Sequence, residues 1–205
     1  MYIRLIVASL IFFILIGCED RIKDGNPTSI NIEYLSHQDI EGFLKKTKTR
    51  LPKYVEYFKE ASKSSNISWK LLAAISYKES HWNNNAISPT GVRGIMMLTL
   101  STAESLGVNR LNPKASIEAA ARYLENIDSK LPDIKDKELK QKLILISYNA
   151  GPSIVRRILN STKKKYGDYN KEIIHEILIH RGLKHSIDYS NQIMEYYRLL
   201  KLAKF

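Results

Sequence analysis

Among the acidic residues of the chain, Glu79 is the one whose spacing suggests chemistry. It continues a helically spaced stripe of Leu72, Ile75 and Ser76, with Trp82 three positions further on. A carboxyl on a core-facing side is costly to ionise, so burial should raise its pKa and keep it protonated near neutral pH. That suits general acid catalysis. The same periodicity also accommodates an ordinary exposed glutamate at a helix end. No second acid accompanies it, because Glu104 and Glu118 fall at helix starts, where carboxylates complement the dipole. His175 and His180 do not make a zinc pair. Their i, i+5 spacing sets them about 140° apart around a helix, where two ligands of one metal need i, i+4 and about 40°. The single cysteine excludes an internal disulfide and a Cys-x-x-Cys redox pair. Neither a metal nor a cofactor is expected.

The elements that would position Glu79 read as helices throughout. Ser68 is placed to cap a helix over Trp69 to Ser80. After it, Asn83 to Thr99 breaks the helical pattern with the turn chemistry of Asn83-Asn84-Asn85, Ser88-Pro89-Thr90-Gly91 and Gly94. A helix end followed by such a loop is a plausible site. Leu51-Pro52 opens a segment carrying Tyr54, Val55, Phe58 and Ala61. Ser101 and Glu104 form a capping-box pattern closed by Gly107. Ser116 is expected to cap a helix running to about Lys130, stopped by Pro132. Asp136 starts another that Gly151-Pro152 ends, and Asp168 and Asp188 are expected to cap helices over about Tyr169 to Ile179 and Tyr189 to Leu202. No alternating strand pattern emerges. The expectation is a single all-α, or nearly all-α, domain over 40–205.

The chain has 205 residues, 44% hydrophobic, enough for one core of ordinary size. Lysine and arginine number 32 against 21 acidic residues, a formal charge of +11 that implies a polyanionic partner. The N-terminus decides which. Leu5 to Ile16 is an uncharged run of 12 residues behind Arg4, spanning about 18 Å as a helix, too short for a hydrocarbon core of about 30 Å. It reads as a signal peptide over 1–17. Leu15-Ile16-Gly17-Cys18 resembles the bacterial lipobox, which makes Cys18 the expected lipidation site and 18–39 a polar tether. A lipid-anchored protein of the bacterial envelope, facing the periplasm, meets anionic lipid and wall polymer, not nucleic acid.

Four motifs, in order, resemble one family. The string WKLLAAISYKESHW from Trp69 to Trp82 resembles the catalytic helix of the soluble-lytic-transglycosylase-type (SLT) family. Ser88 to Thr99, SPTGVRGIMMLT, resembles its Ser-x-x-Gly-x-x-Gly-Leu-Met-Gln signature. Ser147 to Gly151, SYNAG, resembles its Ala-Tyr-Asn-x-Gly, and Tyr189 in DYSNQI resembles its C-terminal Tyr-Val segment. The Met-Met-Leu-Thr ending resembles the membrane-bound lytic murein transglycosylase F subgroup. The resemblance implies a lysozyme-like fold of the lytic transglycosylase and goose-type lysozyme kind, with peptidoglycan glycan strands as substrate. The bond cut would be the β-1,4 link between N-acetylmuramic acid and N-acetylglucosamine, leaving a 1,6-anhydromuramyl product. It implies Glu79 as the catalytic residue, and Ser88, Gly94, Met97, Tyr148, Asn149 and Tyr189 as substrate-binding residues. Ser88 is expected to hydrogen-bond Glu79 or the substrate acetamido group. Met97 departs from the family's usual glutamine, removing an amide from the cleft. A second departure is the short tether in place of the subgroup's solute-binding-like domain.

Two alternatives fit the same residues. A goose-type-lysozyme-like hydrolase would leave a reducing muramic acid, and a non-catalytic peptidoglycan-binding lipoprotein would leave the glycan intact. Trp69 and Trp82 read as packing residues, and Lys163-Lys164-Lys165 as a solvated face or loop.

Overall fold

The computed structural model describes residues 32–203, so the signal segment, Cys18 and most of the expected tether lie outside the described residues. Nine α-helices form among the described residues: α1 (His37–Thr49), α2 (Val55–Lys63), α3 (Trp69–Ser80), α4 (Leu100–Ser105), α5 (Pro113–Lys130), α6 (Lys137–Ala150), α7 (Pro152–Tyr166), α8 (Lys171–His180) and α9 (Lys184–Leu202). A 3₁₀ turn at Leu51–Lys53 joins α1 to α2. Among these residues no extended strand forms. The loop after α3 makes only isolated bridges, Ile87 with Arg93 and Arg93 with Leu98. The all-α expectation holds.

The helix α3 is the centre of the molecule. Every residue from Leu71 to Tyr77 is buried, and α9, α2 and α5 pack around it. At its C-terminal end Phe43, Tyr77, Trp82 and Tyr196 form an aromatic cluster, with Tyr77 4.8 Å from Phe43 and 4.7 Å from both Trp82 and Tyr196, ring centre to ring centre. Trp82 is 1% exposed, and its indole N–H donates to the Ala73 carbonyl at 2.9 Å, so it is a packing residue. A second core, built on Leu143, Val155, Leu159, Ile174, Leu178 and Ile187, holds α6, α7, α8 and α9 together.

Several helix starts differ from the sequence reading, each for a local reason. Thr99, extended at φ −63° and ψ 159°, accepts from the Thr102 N–H and starts α4, which leaves Ser101 and Glu104 inside the helix. Asn112 caps α5 by accepting from Ala115, with Pro113 in the first turn. Ser116 is therefore a buried interior residue, not a cap. Asn170 replaces Asp168 as the cap of α8. The helix α9 begins at Lys184, and Asp188 pairs with Lys184 one turn in, at 2.8 Å. Ser68 precedes α3 as expected but makes no side-chain cap bond, whereas Asp136 does cap α6. Helices α1 and α7 lie outside the segments that the sequence pattern marks as helical. Gly151 ends α6 at φ 92°, and Pro152 opens α7 directly, so the lysine run lies in the last turns of a helix, where cations complement the dipole. The domain also starts before residue 40. Leu35 is buried, Ser36 caps α1 in a capping box with Asp39, and the Glu33 N–H reaches Glu195 at 3.4 Å.

Candidate active site

Glu79 is the penultimate residue of α3 and is partly buried. The Tyr189 phenol, on α9, donates to its Oε1 at 2.5 Å. Burial pushes the Glu79 pKa up to about 7, against the lowering effects of that hydrogen bond and of the Lys78 ammonium. Among the described residues no second carboxylate figures among the groups that set it. Tyr189 is 4% exposed, and burial, then the charge of Glu79, holds its own ionisation well above the usual range. The pair is thus a carboxyl poised near neutrality and a phenol that stays a donor. Such a carboxyl can give up a proton and take one back over a narrow pH range.

Tyr148, near the end of α6, lies close enough to Glu79 to feel its charge. Burial, Glu79 and Tyr123 together hold its phenol protonated. Its hydroxyl donates to the Met96 carbonyl at 3.0 Å. One residue earlier, the Ile95 carbonyl accepts from Ser76 at 3.1 Å and from Ser80 at 2.8 Å, both on α3. Three hydroxyls therefore clamp the 94–97 turn onto the helices that carry Glu79 and Tyr148. Gly94 (φ 88°) is required by packing, since a Cβ there would lie 2.2 Å from the Arg110 carbonyl oxygen. Met97 is partly exposed in a left-handed conformation at φ 48°. With His81 (φ 53°) and Trp82 (φ 55°), it makes three non-glycine residues of this kind around one loop. Backbone of this sort costs roughly 1–3 kcal/mol per residue and clusters at functional sites.

The structure thus brings Glu79, Tyr148 and Tyr189 together. Ser88 is not joined to Glu79. Its hydroxyl accepts from the Val92 N–H at 3.0 Å and pairs with Thr90 at 3.0 Å, closing its own turn. Asn149 is exposed beside Tyr148, and its side-chain oxygen accepts from Ser186 at 2.7 Å. Cys18 lies outside the described residues. Sequence reasoning missed Tyr123, whose ring centre is 5.8 Å from that of Tyr148, and the anchoring roles of Ser76 and Ser80. The i, i+4 spacing of two small hydroxyls on an otherwise apolar helix was the available signal for the last two.

Residues 56–171 match the family model described as the transglycosylase SLT domain. Over 136 residues the chain is 43% identical to a membrane-bound lytic murein transglycosylase F of Photobacterium profundum, covering 63% of this chain and 26% of that one. Over 103 residues it is 52% identical to a membrane-bound lytic murein transglycosylase F 1 of Alkalilimnicola ehrlichii, covering 50% and 21%. The chain therefore spans about a quarter of the length of these relatives. In fold it is similar to the 70 kDa soluble lytic transglycosylase of Escherichia coli, with a TM-score of 0.55 at 21% identity over 72% of this chain and 24% of that one. An inactive variant of the lytic transglycosylase Slt of Pseudomonas aeruginosa gives 0.54 at 20% identity, over 73% and 24%. The fold is lysozyme-like. Tyr189 and Ser186 lie beyond the matched residues, so their places at the site come from the packing of α9.

Proposed function

Because the chain belongs to the transglycosylase SLT domain family, we propose that it is a peptidoglycan lytic transglycosylase with Glu79 as its one catalytic carboxyl. The observation that carries this reading is a lone carboxyl with a pKa raised to about 7 and gripped by a protonated phenol. Glycosidases that work by direct hydrolysis use two carboxyls, one as acid and one as nucleophile or base. A single group suffices if the substrate supplies the rest. Glu79 protonates the oxygen of the β-1,4 bond between N-acetylmuramic acid and N-acetylglucosamine as that bond breaks. The neighbouring acetamido oxygen stabilises the positive charge developing at C1. Glu79, now a carboxylate, then takes the proton of the muramyl 6-hydroxyl as its oxygen attacks C1, closing the 1,6-anhydro ring. The attack is intramolecular and needs no activated water. Tyr148, Asn149, Met97 and the Ser88 turn line the strand's path. The same reading gives the +11 charge a polyanionic partner in the wall.

Relatives are named membrane-bound. We read the chain in the same way, as an envelope enzyme held by acyl chains on Cys18 after removal of residues 1–17, facing the periplasm. The test of the activity is digestion of purified sacculi followed by mass spectrometry. Wild type should release anhydro-muropeptides, and Glu79→Gln should not. Release of reducing muropeptides would identify a hydrolase, and equal release by the variant would remove Glu79 from the mechanism. For the anchor, fatty-acid labelling should be lost in Cys18→Ala; labelling that persists would refute it.

A further inference from the structure

We propose that the outer face of α7 is a docking surface for anionic lipid headgroups, which Arg156, Arg157, Lys163, Lys164 and Lys165 contact. The helix PSIVRRILNSTKKKY carries these five cations and no acid. All five are exposed. The ion pairs among the described residues lie on α1, α2, α5, α6 and α9, and none includes a cation of α7. The acids that follow in the chain, Asp168, Glu172 and Glu176, therefore neutralise none of them. Lys163 and Lys165 instead lie over the rings of Tyr169 and Tyr166, at 5.1 and 4.9 Å. The helix dipole accounts for the three lysines in the last turns but not for the arginines. Arg156 and Arg157 stand in the second turn, beyond the reach of either helix end.

Helical spacing puts the five cations on one side. At 3.6 residues per turn they cover about 200° of the circumference, in the order Lys163, Arg156, Lys164, Arg157, Lys165. The buried residues Val155, Ile158, Leu159 and Thr162 occupy the remaining arc. The apolar face of α7 is thus committed to the second core, and the helix cannot turn over to insert into a bilayer. What it offers is an electrostatic contact. Five like charges with no acid among them repel one another, and a layer of anions relieves that repulsion. A broad convex array of long, flexible side chains suits headgroups that move laterally to meet each cation, whereas a single polymer strand would reach only part of the arc. Tyr166, 45% exposed at the end of α7, adds a ring with one apolar and one wet side, as a headgroup layer accommodates. With Cys18 as an anchor, residues 18–31 reach at most about 50 Å, so α7 stays near the bilayer. The proposal rests on the anchoring reading for that nearness alone, and it does not need the glycan-cleaving one.

The test footprints the lysines of the full chain with a water-soluble acetylating reagent, read residue by residue by mass spectrometry. The chain is mixed with vesicles of phosphatidylcholine, with or without an equal part of phosphatidylglycerol. On the anionic vesicles Lys163, Lys164 and Lys165 should react about fivefold more slowly, and high salt should abolish the difference. Lys53 and Lys63, exposed near the two ends of α2, should keep their rates. On phosphatidylcholine alone none of the five should change. Arg156→Gln/Arg157→Gln leaves the three lysines in place and should return most of their reactivity on anionic vesicles, with the Tm of the free protein unchanged. Unaltered rates on anionic vesicles, equal slowing of Lys53 and Lys63, or slowing undiminished in the double variant would overturn the proposal. So would protection by purified sacculi as great as that by anionic vesicles, which would assign the face to wall polymer. Residues 1–17 and Cys18 meet both kinds of vesicle alike, so failure of the anchoring reading shows in fatty-acid labelling and not in this comparison.

Discussion

Replacing Glu79 by glutamine should abolish activity and, above acid pH, make the protein more stable. The sign follows from the direction of the shift. In the folded protein burial raises this carboxyl to about 7 from an ordinary 4.5. The unfolded chain therefore releases its proton at lower pH than the folded one, and wild-type stability is lost as pH climbs from 4.5 towards 7. Below 4.5 the acid is neutral in both states and resembles glutamine, whose amide oxygen can still accept from Tyr189. The expected advantage of the variant is near zero at pH 4, about 1 kcal/mol at pH 5.5 and about 3 kcal/mol at pH 7, levelling off above that. For a chain of this size, about 3 kcal/mol corresponds to roughly 6–12 °C in Tm. Urea titrations of both proteins at half-unit intervals from pH 4 to 8.5 measure it, and the other titrating groups cancel in the difference. A difference constant across that range would show an ordinary solvated carboxylate, and one that grows towards acid a carboxyl held ionised; either would remove the basis of its role as acid.

Three further outcomes are expected. Tyr189→Phe removes the one hydrogen bond that lowers the Glu79 pKa, so the alkaline limb of the pH–activity profile should move up while the rate falls; a limb that stays in place or moves down would contradict the pairing. Gly94→Ala should be destabilising by more than about 3 kcal/mol, because its Cβ would meet backbone at 2.2 Å and its φ is 88°; a Tm within a degree of wild type would show that the turn can move away. Ser76→Ala and Ser80→Ala should each cost about 1 kcal/mol, and together more than their sum, since either hydroxyl alone still satisfies the buried Ile95 carbonyl and losing both leaves it without a donor; strict additivity in urea unfolding would argue against a shared acceptor.

How far these features could be read from the chain depends on whether their causes are local. The α3 boundaries were legible because Ser68 and the apolar run sit next to each other in sequence. So was Glu79, whose distance from water follows from its spacing to Leu72 and Ile75. Cap identity at α4 was not legible, because Thr99 and Ser101 are both capable residues. The choice falls to whichever one the preceding loop holds extended, and that loop is set by tertiary bonds from Ser76, Ser80 and Tyr148. Those bonds end on backbone carbonyls, which every residue possesses, so sequence carries no mark of them. Gly94 reads as a generic turn residue for the same reason, since the atom that demands glycine is the carbonyl of Arg110. Ser88 shows the converse. Its motif placement points at Glu79, yet its hydroxyl accepts from the Val92 N–H inside its own turn.

The two phenols at the site look alike in sequence and act differently. Tyr189 is bonded to the carboxyl itself and, as a donor, favours its ionised form. Burial favours the neutral form, and the two effects oppose one another at the same atom. In the proposed reaction this opposition is useful, because Glu79 must be an acid in the first half and a base in the second. A carboxyl stabilised only by burial would hold its proton too firmly to return as a base. One stabilised only by hydrogen bonds would never be protonated at neutral pH. Tyr148 contributes to neither side by bonding, because its hydroxyl is committed to the Met96 carbonyl. Its hydroxyl instead ties the 94–97 turn to α6. A helix end and a clamped loop therefore set the position of Glu79, and burial, offset by the Tyr189 phenol on α9, sets its proton affinity.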